Sequence, residues 1–428
     1  MLPEIRQTDY LFAVPRFDLD RNDVRELADE LTGFHENFAD CFQRSESRDN
    51  FHRYMSGQLC HLERKSIEPI AFAVEGGKVR AMQRFVSDAP WDDGKIIAKY
   101  RSLVYDDIGH PDAALIFDES GFVKKGDDSI GVARQYCGTI GKVDNCQVGV
   151  FAAYTSPHGY CLVDKRLYLP EQWFSEEYED RREKCLLPSD VTFKTKPQLA
   201  AEMLTGIAND RQLPFRYVLA DSVYANPDFM EAIESLVGVT YLLQVPEDTS
   251  CWLQNPLLVE KSYSYRGQTK TRKTLSDSSK KHLLVKTIAK NTNDYFWYKR
   301  KVSEGSKGPI EYEFTKRRIV LSHHGLPQKT VWLLIRRTMD KEPEYSYFVS
   351  NAPISTRLST FVWLSGLRWS IEQCFEETKT ELGMDHYEVR KYTGWNHHIL
   401  TCMLAHYFLW HLKIRLGKKS TCYYDLAA

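Results

Sequence analysis

The stretch that decides the fold is Leu367-Arg-Trp-Ser-Ile-Glu-Gln-Cys-Phe-Glu-Glu-Thr-Lys-Thr-Glu-Leu-Gly383. Its spacing follows the 3.6-residue period of an α-helix, so Arg368, Glu372 and Lys379 share one face. Gly383 is typical of the residue just beyond a helix C-terminus. One helix face therefore carries a carboxylate between two cations. A surface helix with i,i+4 ion pairs has the same pattern, unless other acids converge on Glu372.

Two other acids follow short apolar runs. Asp118 follows Ala113-Ala-Leu-Ile-Phe117, and Asp221 follows Phe215-Arg-Tyr-Val-Leu-Ala220. Each run predicts a buried strand with an acid at its carboxyl end, the edge where catalytic groups gather in an open α/β sheet. If Asp118, Asp221 and Glu372 converge, they can hold two divalent cations about 4 Å apart. Such oxygen ligands suit magnesium or manganese better than zinc.

The spacing around Glu372 also matches a known motif. Arg368, Glu372 and Lys379 occupy the last three positions of Tyr-x-x-Arg-x-x-x-Glu-x-x-x-x-x-x-Lys, and Ser365 stands at the tyrosine position. In this the chain resembles the DDE transposases of bacterial insertion sequences. The resemblance extends to Phe117-Asp-Glu-Ser-Gly-Phe-Val-Lys-Lys-Gly126 and Ala220-Asp-Ser-Val-Tyr224, and it covers roughly residue 110 to the C-terminus.

The resemblance implies an α/β fold with a ribonuclease-H-like mixed sheet flanked by helices and split by a β-rich insertion. It implies that Asp118, Asp221 and Glu372 are catalytic and hold two Mg²⁺ ions, for which Mn²⁺ can substitute. Arg368 and Lys379 would contact phosphates near the cut. The substrate would be double-stranded DNA, both the terminal repeats of the element and the target, with a dimer on paired ends. The reaction would be cut-and-paste transposition by strand cleavage and strand transfer.

Two other functions remain open from the sequence. A nuclease with the same core would cleave without joining strands, and a domesticated transposase would bind DNA without catalysis. The presence of all three acids argues against a silent protein. Turnover on a duplex that contains an element end would separate these alternatives.

The charge of the chain is unevenly distributed. The 428 residues allow two or three domains, and the formal net charge is only −1. From Lys261 to Arg318, however, there are 16 Lys and Arg against 5 Asp and Glu, a local charge of +11. Overall neutrality therefore hides a basic region of the kind that binds nucleic acid.

Residues 1–108 form the first predicted domain, which is all helical. Helices are expected up to Leu31, from Phe51 to Leu62 and from Lys78 to Val86, with breaks at proline and glycine. Arginines and lysines along these helices could contact DNA phosphates. A helical bundle with a solvated charged face explains the pattern nearly as well, and only the resemblance favours a DNA-binding domain.

Residues 109–246 are expected to form the first part of the catalytic core. A predicted hairpin joins Cys146–Tyr154 to Tyr160–Tyr168, and helices over 197–209 and 227–236 alternate with the Asp221 strand and a strand over 240–245. Lys124 and Lys125 lie in a predicted loop six and seven residues past Asp118. Phosphate contact and a simple solvated turn are equally good interpretations of these two lysines.

Residues 247–353 are expected to form the β-rich, basic insertion, and residues 354–428 the rest of the core with a buried C-terminal helix. The insertion explains why 151 positions separate Asp221 from Glu372, against 103 between Asp118 and Asp221. Its aromatic residues could stack on an unpaired base, although for any single tryptophan a place in a hydrophobic core is favoured. The candidate DNA contacts in this segment are Lys280, Lys281, Trp297, Lys299, Arg300 and Lys301.

The remaining sequence features bear on location and cofactors. Ten cysteines show no zinc-ligand spacing, which favours reduced thiols in a bacterial cytoplasm, with the protein on the nucleoid when it binds DNA. The N-terminus lacks the plan of a signal peptide, and no segment is predicted to cross a membrane. The nucleotide-binding motif Gly-x-x-x-x-Gly-Lys-[Ser/Thr] is also missing, so no nucleotide cofactor is expected.

Overall fold

A computed structural model describes residues 21–266, 268–277, 282–305 and 308–425 of the chain. It confirms the mixed α/β class. The described residues divide into two compact units. The first, the β-rich unit, contains Tyr217–Ala225 and Val237–Leu367, and the second, the helical unit, contains residues 21–216, 226–236 and 368–425.

The helical unit begins with five helices. They are α1 (Arg21–Glu36), α2 (Ser45–Leu59), α3 (Ile67–Ala73), α4 (Val79–Ser87) and α5 (Asp93–Ile108). The helices predicted at 51–62 and 78–86 correspond to α2 and α4, and α5 lies in the region predicted as helical. The predicted break at Pro69 was wrong: Pro69 lies in the first turn of α3, where a backbone N–H has no intrahelical acceptor to lose. Helices α1, α2, α4 and α5 pack against the long C-terminal helix α12 (Tyr392–Asp425), where the Phe34 ring contacts Phe408 and Tyr54 forms a hydrogen bond with His398. The apolar segment 398–412 is thus a buried helix, as predicted.

Four antiparallel strands follow, β1 (Ala114–Val123), β2 (Ala133–Cys137), β3 (Lys142–Ser156) and β4 (Gly159–Tyr168). Strand β3 lies between β1 and β2 and also pairs with β4. The predicted hairpin is confirmed, since β3 and β4 pair from Val148 opposite Tyr168 to Ser156 opposite Gly159. Every residue of β3 from Cys146 onward and eight of the ten residues of β4 are buried, because helices cover these strands.

Four more helices complete the helical unit: α6 (Glu179–Lys184), α7 (Lys196–Asp210), α8 (Pro227–Glu234) and α11 (Trp369–Thr380). Thr195 and Gln198 form a capping box that begins α7 where the sequence predicts a helix. Helix α11 packs on β1, β3, β4 and α12. Arg368, Glu372 and Lys379 therefore lie along β1, the strand that contains Asp118.

The β-rich unit contains the remaining elements: β5 (Tyr217–Ala220), β6 (Thr240–Val245), β7 (Ser250–Trp252), β8 (Leu258–Tyr265), β9 (Gln268–Leu275), β10 (Leu283–Leu284), α9 (Val285–Lys290), β11 (Tyr298–Gly305), β12 (Gly308–His323), β13 (Leu326–Arg337), β14 (Tyr345–Ser350) and α10 (Leu358–Leu367). Its strands follow the order β10-β7-β12-β13-β14-β6-β5, and β11 adds to β12. Strands β5 and β6 are parallel, and β8 and β9 form a separate two-stranded sheet.

The sequence predicts strands at the apolar runs 282–285 and 295–298, and both predictions were wrong in part. The run Tyr295–Tyr298 is mostly a turn of 3-10 helix over Asp294–Phe296, and β11 begins only at Tyr298. The run from His282 to Val285 contains a two-residue strand before α9 begins. Both runs are apolar but short, and periodicity cannot separate a strand from a helical turn over four residues.

Cysteine chemistry and hydropathy add two observations. The nine cysteines whose side chains the structure describes are free thiols, and eight of them are buried. Within the described ranges, no helix combines the length and the apolar character that a membrane span requires.

Candidate active site

Asp118 lies in the middle of β1. The prediction that the strand ends at this acid was wrong: β1 continues for five residues, and Asp118 stands opposite Phe151 of β3. The extension forms because Phe122 is buried against Phe151 and Tyr387, so the second half of the strand also contributes to the core. Asp118 itself is half-buried at one face of the strand.

Arg368 binds two of the three predicted acids at once. Its Nη1 atom lies 3.2 Å from Asp118 Oδ2, and its Nη2 atom lies 2.6 Å from Glu372 Oε1. Arg368 precedes α11 directly, and Glu372 lies one turn later on the same helix face. The guanidinium therefore reaches an acid 250 positions away in sequence and offsets the repulsion between two carboxylates.

Glu119 is a second acid on β1 that the sequence did not single out. Successive side chains on a strand point to opposite faces, so Glu119 faces away from the side that Asp118 occupies. Its Oε1 atom lies 2.7 Å from Lys196 Nζ at the start of α7. Alternation along β1 thus selects Asp118 for Arg368 and leaves Glu119 in a separate ion pair.

Asp221 belongs to the β-rich unit and follows β5 directly, as predicted. All four residues of β5 are buried. The Asp221 carboxylate caps a turn of 3-10 helix over Ser222–Tyr224 and accepts a hydrogen bond from the Ser222 backbone N–H. The local geometry therefore presents a half-buried carboxylate at the carboxyl end of a core strand.

Lys379 and Lys124 contact protein groups in the helical unit. Lys379 Nζ donates to the Gly121 carbonyl at 3.1 Å and to Thr139 Oγ1 at 2.8 Å, and burial lowers the pKa of Lys379. Lys124 Nζ donates to the Tyr387 carbonyl at 2.9 Å and lies 3.4 Å from the centre of the Tyr387 ring. Burial lowers the pKa of Lys124 to about 8. These two lysines therefore form fixed contacts at the end of β1 beyond Asp118. Lys125, in contrast, is exposed to solvent.

The predicted DNA contacts in the β-rich unit have different surroundings. Lys299 is exposed and pairs with Glu311 at 2.7 Å. Arg300 is exposed and lies 5.7 Å from the centre of the Tyr298 ring. Lys301 is half-buried. Lys280 and Lys281 lie outside the described residues.

Trp297 is buried, with 7% of its surface exposed. The Arg337 guanidinium lies 4.2 Å from the centre of its ring, and Tyr345 packs on it from 6.0 Å. This tryptophan therefore occupies a core position in this structure, as the sequence favoured for any single tryptophan. Three rings next to it in sequence are exposed: Tyr295 at 82%, Phe296 at 55% and Tyr298 at 45%.

A polar cluster holds α11 from its inner side. Glu377 accepts hydrogen bonds from Tyr160 Oη at 2.8 Å and Gln373 Nε2 at 3.1 Å, and it pairs with His406 Nε2 at 2.6 Å. Burial alone would raise the pKa of Glu377, but the hydrogen bonds and the His406 charge outweigh it and hold this pKa below its ordinary value. Nothing in the sequence spacing pointed to this cluster, since Tyr160 and His406 lie on other elements.

The chemistry of the donor set suits a hard cation. Asp118 and Glu372 present carboxylate oxygens, the ligands that Mg²⁺ and Mn²⁺ prefer, and a positive group already lies between them in the form of Arg368. Among the residues that the structure describes, no three His, Cys, Asp or Glu side chains are grouped closely enough to hold a metal ion. Arg368 offsets one of the two negative charges, so Asp118, Glu372 and Arg368 together keep a net negative charge.

Sequence comparisons define the class of protein. The sequence model of the family described as DDE superfamily endonuclease matches residues 37–309, well over half of the chain. The chain belongs to this family. The matched range includes Asp118 and Asp221 and ends before Glu372.

A curated relative is the "Probable transposase for insertion sequence element IS701" of Microchaete diplosiphon. It is 24% identical to this chain over 343 residues, which cover 78% of this chain and 75% of the relative.

Proposed function

We propose that this chain is a transposase that cleaves DNA at the ends of an insertion sequence and joins them to target DNA. The observation that carries the proposal is the double ion pair of Arg368 with Asp118 and Glu372. It joins the acid of β1 to the acid of α11 in a chain of the DDE superfamily endonuclease family. The IS701 relative supports transposition over cleavage alone.

In this proposal the catalytic core is ribonuclease-H-like, with residues 109–246 and 354–428 on either side of the insertion 247–353. Residues 1–108 would bind the element end. The antiparallel strands β1 to β3, the helices that cover them and the parallel pair β5–β6 support this division.

Asp118, Asp221 and Glu372 would hold the divalent cations, Mg²⁺ or Mn²⁺. Asp221 joins the set on sequence grounds, from its place at the end of β5. When bound, the ions would activate the attacking oxygen and stabilise the leaving oxygen of a phosphodiester. Arg368 keeps the carboxylates together and is itself a phosphate ligand of the right charge and shape.

The chain's other groups would orient this site and the DNA. The Glu377 cluster holds α11, and Lys379 braces Gly121 three residues past Asp118. Lys125, Lys299 and Arg300 are the exposed cations among the predicted phosphate contacts, and Lys280, Lys281 and Lys301 remain candidates. Paired element ends would bring two copies of the chain together.

The proposal is tested with duplex DNA that carries the sequences flanking the coding region, incubated with target DNA and Mg²⁺ or Mn²⁺. We expect cleavage at the element ends followed by joined products, and no reaction with Asp118→Asn. Calcium should support binding but little cleavage, because its longer bonds and looser geometry suit in-line displacement poorly. Cleavage without joining would identify a nuclease, and activity that requires zinc or survives a strong chelator would refute the metal assignment.

A further inference from the structure

The described side chains of the hairpin β8–β9 form no hydrophobic core of their own. The hairpin is a two-stranded sheet, and its base is closed by a hydrogen bond from the Ser276 N–H to the Leu257 carbonyl at 2.8 Å. From Leu258 to Lys273, every residue whose side chain is described is exposed. An isolated two-stranded hairpin is only marginally stable in water. Burial of apolar side chains therefore does not account for the presence of this hairpin.

The pairing register sorts the hairpin's side chains onto two different faces. Lys261 stands opposite Arg272, and Tyr263 stands opposite Lys270. Because alternate residues share a face and opposite residues lie side by side, these four side chains occupy one face, which we name the basic face. The Arg272 guanidinium lies 5.5 Å from the centre of the Tyr263 ring. The single acid of residues 258–275, Glu260, stands opposite Lys273 on the other face.

We infer that β8–β9 is a DNA-binding β-ribbon whose basic face contacts the duplex. The inference rests on the proposed function, which supplies DNA as the substrate. Residues 258–275 carry five Lys and Arg against one acid, which complements the phosphate backbone. Eight residues per strand span about 26 Å. A ribbon of two strands fits the major groove, which is about 12 Å wide.

Protection of the sheet edges against pairing with another chain is an alternative role for these lysines, and it explains their placement less well. Lysines on edge strands prevent pairing with another chain, and both strands of a two-stranded sheet are edges. That protection acts in the plane of the sheet and does not depend on the face a side chain occupies. Three cations and a tyrosine lie on one face, and the acid lies on the other. A ligand that binds one face explains this difference between the two faces.

The test compares two variants that each lose two positive charges. Lys261→Gln/Arg272→Gln removes a cross-strand pair of the basic face. The control Lys273→Gln/Lys290→Gln removes one cation from the opposite face of the hairpin and one exposed cation from α9. Affinity for a 30-base-pair duplex, with and without the element end, is measured by fluorescence anisotropy between 50 mM and 300 mM salt, and circular dichroism checks that both variants fold.

We expect the basic-face variant to lower the slope of log K against log[salt] by about two, and to weaken binding roughly 60-fold at 0.1 M salt, on both duplexes. The control should change each quantity much less. Equal effects of the two variants on duplex affinity and salt slope would overturn the ribbon. If the basic-face variant bound duplex as well as the wild type, and the wild type cleaved DNA normally, the ribbon would be overturned and the proposed function would stand. A wild-type chain that binds no duplex would remove both.

Discussion

The cations of the two units differ in what surrounds them. In the helical unit, Arg368 binds two carboxylates, and Lys124 and Lys379 donate to backbone carbonyls. In the β-rich unit, Lys261 and Arg272 are exposed on one face of a thin hairpin. The sequence marks all of these residues in the same way, as positive charges near candidate functional segments.

The difference teaches that surroundings decide what a positive charge does. A half-buried cation with fixed partners holds those partners in place, and its removal disturbs local geometry. An exposed cation acts through the field that it places in solvent, so its effect is screened by salt. Substitutions in the helical unit should therefore change catalysis or stability, and those in the hairpin should change salt-dependent affinity.

The largest effect is expected from the three acids. Asp118→Asn, Asp221→Asn and Glu372→Gln should each lower the cleavage rate at least about 100-fold. Even loss of a group that only hydrogen-bonds to a metal ligand lowers metal affinity or activity about 10- to 100-fold. Binding to end DNA should change little, as measured by gel shift beside a cleavage assay. Glu119→Gln is the matched control, because it removes the neighbouring charge from the other face of β1 and should retain cleavage. Near-normal cleavage by any of the three variants would remove that acid from the site.

Arg368→Ala should leave Asp118 and Glu372 without their shared counter-cation. We expect the melting temperature without divalent cations to fall by about 2–4 °C, and the gain on adding Ca²⁺ to exceed that of the wild type, because the metal then replaces the missing charge. Differential scanning fluorimetry with a calcium titration measures both quantities. Arg368→Lys keeps the charge but not the two-pronged geometry, so an intermediate response is expected. An unchanged calcium response in Arg368→Ala would separate this arginine from the metal site.

Glu377→Gln tests the support of α11. The folded-state pKa of Glu377 lies below the ordinary value of 4.5, so its contribution to stability is complete above that pH and is lost as the pH falls through the lowered folded-state pKa. We expect a loss of about 1 kcal/mol at pH 7, kept small because a third of the side chain is exposed. Urea unfolding at pH 7 and at pH 3 gives the comparison, and Tyr160→Phe, which removes one hydrogen bond, is the milder control. A difference that persists undiminished at pH 3 would contradict this account.

The smallest effect is expected from Lys299→Ala/Arg300→Ala. Lys299 already pairs with Glu311, and Arg300 lies over Tyr298, so the double variant should flatten the salt dependence of DNA binding by at most about one unit. The same anisotropy titration measures it, with end-containing and random duplexes affected alike. A slope change as large as that of the basic-face variant would mean that β11 contributes as much as the hairpin.

The sequence alone determined the elements whose signals are local. Helical periodicity with Gly383 located α11, the run 215–220 located β5 before Asp221, and the helix predicted over 197–209 corresponds to α7. These signals need only neighbours a few residues apart, so they can be recognised without the fold.

Only the tertiary structure decided which side chains meet. Arg368 reaches Asp118 because α11 packs on β1, and β1 extends past this acid because Phe122 finds a core. Trp297 is buried under Arg337, and Lys124 packs on Tyr387. The basic face exists only through the register of β8 and β9. Each of these contacts joins residues whose pairing has no local sequence signal, because its energy comes from packing and charge interactions that form when distant segments come together.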